Sequence, residues 1–311
     1  MTSAEFSISA FGDEIAPDLD EQLSTLRALK IGNLDLRGAW GKNVLYMEDD
    51  DLECVAQTCA RHGVQVACIG SPIGKSPLVE PIETEIGNLS RIFRVGERLA
   101  CRRVRLFSFY PPSYAAGNAD YDQYVEPAAE RLGKLAAMAE QEGFTLLLEN
   151  EKGIVTDTLA RCEAVLKAVD SPNLKFLWDS ANFIQVGEVQ VVERGWPMVG
   201  DLIEYVHIKD AVLSDGHVVP AGEGDGQLPL LLAVDPCPRR GTHRVEAEGD
   251  GGGRPEALGH LVCGYEVAIR AGTVLNAEGR GVEAMAELVD AADRAAVEGL
   301  RRPFLDAPHA V

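Results

Sequence analysis

The chain reads as an α/β protein, a (β/α)8 (TIM) barrel whose eighth βα unit is atypical and incomplete in its pattern. Three observations point there. Short apolar or β-branched runs recur, ending near Phe11, Leu36, Ile69, Phe107, Leu148, Trp178 and Val206, with helix-like segments between them. Successive ends fall roughly 25–40 residues apart, the length of one strand-plus-helix unit. Runs such as Phe144-Thr145-Leu146-Leu147-Leu148 are apolar along their length rather than alternating, which marks strands of a parallel sheet buried on both faces. Almost every run also ends in polar groups: Asp13-Glu14, Arg37, Lys75, Ser108 to Tyr110, Glu149-Asn150-Glu151, Asp179, and His207 with Lys209 and Asp210. A closed barrel brings all those ends to one mouth, where active sites lie. An open doubly wound sheet would spread them along an edge, and no dinucleotide-binding glycine fingerprint follows the first strand.

The helices follow from local signals. Asp18 caps a helix in which Leu19, Leu23, Leu26 and Leu29 share a face, and Gly32 is placed to end it. Asp120 to Glu142 repeats the pattern, with Leu132, Leu135, Ala136 and Met138 on the apolar side and Gly143 as the stop. Thr158 to Val169 does so again before Ser171-Pro172. Strands one to seven of the barrel are thereby assigned to residues 1–233. Beyond Leu232-Ala233, Pro236, Pro238, Arg239 and Arg240 break the helix expected next. The stretch from Val245 to Gly249 is a poor strand. Residues 234–311 are expected to form a divergent C-terminal segment that carries strand eight and terminal helices.

A chain of 311 residues has room for one large α/β domain or two smaller ones. Its net charge of −20 repels phosphate backbones and anionic membrane surfaces, so neither nucleic acid nor a membrane is an expected partner. The cysteine count of 7 is odd, and no Cys-x-x-Cys pair occurs. That fits reduced thiols in the cytoplasm better than a disulfide framework. Glu5, Asp13 and Glu14 interrupt the apolar residues of the N-terminus, which argues against a secretory signal. The longest strongly apolar run, near Leu228 to Val234, is far short of the roughly 18 residues a membrane span needs.

The chemistry concentrates at three strand ends. Glu149, Asp179 and His207 each close an apolar run, and carboxylate, carboxylate and imidazole are the ligand types a divalent metal takes. A mixed oxygen and nitrogen site of this kind suits Mn²⁺, Mg²⁺ or Co²⁺ and can take Zn²⁺. Each residue has a blander reading. Glu149 or Asp179 could cap the helix that follows, His207 could be a satisfied core histidine, and Asn182 could merely start a helix. Arg37 and Lys75 can touch substrate or pair with Asp13 or Glu14. Lys209 can neutralise charge developing on a substrate oxygen, and Asp210 joins Arg37, Lys75 and Asn182 as a candidate for substrate binding. The loop Gly222-Glu223-Gly224-Asp225-Gly226 reads as a tight turn near the mouth, or as a phosphate site weakened by its own acids.

These residues, taken with Ile8 to Ile15, Ile69 to Lys75, Leu148 to Glu151, Trp178 to Phe183, His207 to Asp210 and Pro220 to Gly224, resemble the xylose isomerase-like TIM-barrel superfamily of sugar isomerases and epimerases. That group includes hydroxypyruvate isomerase, ketose 3-epimerases, inosose dehydratase and endonuclease IV. The resemblance implies a metal held by Glu149, Asp179 and His207, with a fourth ligand from a glutamate ending strand eight. Glu248 falls nearest that place, with Glu246 second. It also implies catalysis by Glu149 and Glu248 on opposite faces of the substrate, assisted by Lys209. The implied reaction is isomerisation or epimerisation of a ketose, sugar phosphate or keto-inositol, through proton abstraction beside a carbonyl and an enediolate. A lyase or dehydratase, a C-glycoside-cleaving subunit and a catalytically inactive barrel use the same scaffold. Endonuclease chemistry is set aside, because it needs a histidine-rich mouth and a basic surface. Sugar isomerases of this kind often form homo-oligomers; no interface is evident in the residues.

Overall fold

Eight parallel strands close into a barrel in a computed structural model that describes residues 7–112, 120–233 and 266–269. The strands are β1 (Ser7–Phe11), β2 (Asn33–Leu36), β3 (Gln65–Ile69), β4 (Arg103–Leu106), β5 (Thr145–Glu149), β6 (Leu174–Asp179), β7 (Ile203–Ile208) and β8 (Glu266–Ile269). Each pairs with its sequence neighbour, and β8 lies between β7 and β1. The first seven run where the apolar segments place them. The eighth is formed well downstream of Val245 to Gly249, the stretch expected to supply it, and Glu246 and Glu248 lie outside the described residues.

The helices between strands are α1 (Leu19–Ala28), α2 (Asp49–His62), α3 (Ile82–Arg98), α4 (Val125–Glu142), α5 (Leu159–Val169), α6 (Ser180–Ile184), α7 (Val191–Val199) and α8 (Leu228–Ala233). Asp18 caps α1, its side chain accepting from the Glu21 N–H, while Leu19, Leu23 and Leu26 bury their stripe against the barrel. The helix stops at Ala28, and Lys30, not Gly32, takes the left-handed conformation. Gly143 ends α4 as expected, in the left-handed region at φ 69°. Thr158 caps α5 through the Arg161 N–H. Such caps are each worth about 1 kcal/mol. Larger stabilisation comes from the interface of helices and barrel, where each fully buried leucine contributes about 1.5–3 kcal/mol.

Inside the barrel Cys68, Leu147, Leu177 and Tyr205 pack as one layer. Tyr205 donates its hydroxyl to Asp35 at 2.6 Å and meets Ser9 Oγ at 2.7 Å, so the layer carries a buried polar seam. The five described cysteines form no disulfide, and Cys237 and Cys263 lie outside the described residues. No helix among the described residues is long and apolar enough to cross a membrane.

Candidate active site

Parallel register delivers the three ligand-type side chains to one place. Glu149 is the last residue of β5 and Asp179 the last of β6, while His207 is the penultimate residue of β7 and lies directly beside Asp179 in register. Inward alternation then points all three into the mouth. His207 Nδ1 is 3.0 Å from Glu149 Oε1 and 3.7 Å from Asp179 Oδ2. All three residues are buried, and one ligand atom from each lies within 4.8 Å of the others. Asp179 serves both readings of it. Its Oδ1 caps α6 by accepting from the Asn182 N–H at 3.0 Å, and Oδ2 faces His207 and Lys209.

Neutral amides hold this arrangement. Asn150 donates to the Asp179 carbonyl at 2.9 Å and accepts from the Asp179 N–H at 2.8 Å, locking β5 to β6 at the mouth. Asn182 donates to the Asn150 carbonyl and accepts from Lys209 Nζ at 2.7 Å. The Asn182 amide sets the position of Lys209, which also stands 3.8 Å from Asp179 Oδ2.

A stack of cations and rings forms another wall. Arg105 on β4 lies between Phe11 and Phe107, its guanidinium carbon 5.1 and 5.0 Å from the ring centres. Arg37 covers the same Phe11 at 5.0 Å, and Lys75 covers Phe107 at 4.3 Å. Arg105 is buried and reaches Glu149 Oε2 at 3.2 Å, with a further hydrogen bond to the Gly70 carbonyl. Sequence reasoning missed it, although its alternation with Val104 and Leu106 on a barrel strand signals an inward guanidinium. Arg37 takes the paired reading, with Asp13 at 2.7 Å and Glu14 at 3.1 Å. Lys75 pairs with Glu151 at 3.0 Å, not with Asp13 or Glu14.

Asp210 anchors the glycine loop from within. Its Oδ1 accepts from the N–H groups of Ala211 and Gly226, and Oδ2 from those of Gly222 and Gly224, all between 2.9 and 3.1 Å. A carboxylate of the chain itself therefore takes up these N–H groups of the glycine loop. Burial raises the Asp210 pKa although those four donors pull it down. Deeper in the barrel, burial likewise raises Asp35 against the hydrogen bonds from Tyr205 and Ser9. Burial, reinforced by the Asp35 charge, also pushes the Tyr205 hydroxyl well up.

The donor set fits a divalent cation: two buried carboxylates and one imidazole nitrogen converge on a common point, with neighbouring cations that temper their repulsion. Sequence comparison with curated proteins finds no match. Solved structures do match in fold. The probable 3-DHS dehydratase AsbF of Bacillus anthracis aligns at 18% identity over 71% of this chain and 84% of that one, with a TM-score of 0.56. A xylose isomerase-like TIM barrel protein of Mycobacterium smegmatis, in complex with magnesium, aligns at 16% identity over 95% and 100%, TM-score 0.63. The IolI protein with a bound zinc atom aligns at 15% over 93% and 99%, TM-score 0.65. The xylose isomerase-like TIM barrel family model matches residues 33–234, about two thirds of the sequence, and the chain belongs to that family.

Proposed function

We propose that the protein is a metal-dependent isomerase or epimerase of a ketose or keto-inositol. The observation that carries this reading is the convergence of Glu149, Asp179 and His207 at the ends of three adjacent strands, all buried at the barrel mouth. A divalent cation held by these three would polarise a substrate carbonyl and make the adjacent C–H acidic. The chain's own groups do the rest. Glu149 is the proton carrier, and Arg105, bound to Oε2, keeps its carboxylate aimed so that Oε1 faces the ligand cluster. Lys209, fixed by Asn182, supplies positive charge next to an oxygen that gains electron density. Glu248 remains the proposed second proton carrier. The structural neighbours with magnesium and zinc support a divalent ion in this fold.

The test is solvent exchange. The Mn²⁺-loaded protein is incubated in D2O with ketoses and keto-inositols, and products are followed by NMR and mass spectrometry. Expected are deuterium at the carbon next to the carbonyl and a product of conserved mass. Glu149→Gln should slow exchange by about 10²–10⁴-fold, the usual contribution of a positioned acid–base group. Loss of water or of an aglycone would identify a lyase instead. Metal uptake without exchange on any substrate would leave an inactive barrel.

A further inference from the structure

Resting on that reading of the mouth, we infer that the site takes an uncharged polyhydroxy carbonyl compound and discriminates against its phosphate monoesters. The glycine loop is the first observation. Gly222, with φ of 86°, Gly224 and Gly226 shape a nest of N–H groups of the kind that binds phosphate, but Asp210 fills it from within. A Cβ at Gly224 or Gly226 would lie 2.4 or 2.7 Å from Asp210 Oδ1, so these glycines admit an internal carboxylate.

The cations of the mouth among the described residues give the second observation. Arg37, Lys75, Lys209 and Arg105 each have an ion pair with a chain carboxylate, and three of them lie over Phe11 or Phe107. A phosphate dianion drawing on Arg37 or Lys75 would stand beside Asp13, Glu14 or Glu151, and like charges at such range repel. Lys152 is exposed on the loop after β5, and one solvated ammonium is a weak anchor. Paired carboxylates and cations suit hydroxyl groups, which both donate and accept, whereas a phosphate dianion only accepts.

The experiment compares matched pairs on the full-length, Mg²⁺-loaded protein: D-fructose with its 6-phosphate, D-tagatose with its 6-phosphate, a keto-inositol, and inorganic phosphate alone. Calorimetry gives affinity, and D2O exchange gives turnover. A neutral compound should bind at least about tenfold more tightly than its ester, a gap of about 1.4 kcal/mol, with inorganic phosphate silent. Tighter binding of an ester, or no binding of any neutral compound, overturns the inference. The two readings fail separately. A neutral compound bound without exchange sinks the isomerase and keeps this inference; an ester that exchanges in preference does the reverse. Asp210→Ala should uncover the nest and bring inorganic phosphate binding that the native protein lacks. Should that variant not fold, the matched pairs on the native protein still decide.

Discussion

His207 Nδ1 and Glu149 Oε1 lie 3.0 Å apart, closer than the 3.7 Å between His207 Nδ1 and Asp179 Oδ2. A cation that enters must take this contact over, exchanging one hydrogen bond for two metal bonds. Mn²⁺, Mg²⁺, Co²⁺ or Zn²⁺ should therefore raise the melting temperature. At a free-ion concentration about a hundredfold above Kd the stabilisation is about 2.7 kcal/mol. Glu149→Gln and His207→Ala should each abolish the ion-dependent shift. A shift that persists in both variants would place the metal elsewhere, and no shift with any of the four ions would remove the metal site.

Arg105 sets the charge balance beneath that cluster. With Glu149 buried and its Oε2 3.2 Å from the guanidinium, Arg105→Ala strands a carboxylate in a low-dielectric interior. Removing one partner of a buried pair costs about 3–5 kcal/mol. Phe11 and Phe107 also lose the cation between them, worth about 0.5–2 kcal/mol each. Arg105→Lys keeps the charge and loses the planar fork, so it should fall between the two. Urea unfolding midpoints measure the series. A change below about 1 kcal/mol for the alanine variant would mean that Glu149 finds another partner or is neutral.

What was legible in the sequence was local or periodic. Asp18, Thr158 and Gly143 work through neighbours three or four residues away, and apolar runs announce strands covered on both faces. Even so, the left-handed position after α1 fell on Lys30, because the chain turned two residues before Gly32. Contacts set by closure were not legible. Arg105 meets Glu149 only when β4 and β5 lie side by side. Asp210 finds its partners one residue and a loop's length away, in N–H groups that only the folded loop presents to it. The four-residue β8 has too little sequence of its own; it is a strand because β7 and β1 flank it with open hydrogen-bonding edges.

Asp35 gives the protein a pH dependence of known sign. Burial raises its pKa above 3.8, with the Tyr205 and Ser9 hydrogen bonds opposing. The native state then binds more protons than the unfolded chain between the ordinary value and the raised one, so stability falls as pH rises through that window. Asp35→Asn keeps an acceptor for the Tyr205 hydroxyl and removes the titration. Asp210 and Asp157 are also raised by burial, but they titrate alike in both proteins and cancel in the difference. Unfolding free energies from about pH 4 upward should show the native protein losing stability relative to the variant as pH rises. A difference that is flat with pH, or of opposite slope, would refute the assignment to Asp35.

Gly74 is where the backbone itself shapes the cation–ring wall. It adopts φ of 80°, and a Cβ there would stand 2.0 Å from the Phe107 carbonyl oxygen. Phe107 supports both Arg105 and Lys75, so relief of the overlap must move the group that aims Glu149. Gly74→Ala combines a strained φ with an overlap against backbone, each costing about 1–3 kcal/mol. Gly87 is the control. It lies exposed within α3 with nothing near a new Cβ, and Gly87→Ala should stabilise by about 1 kcal/mol through helix propensity. Thermal unfolding of the two variants should move in opposite directions, and only Gly74→Ala should weaken the ion-dependent melting shift. Equal ion-dependent shifts in both variants would show that the wall does not transmit its position to the ligand cluster.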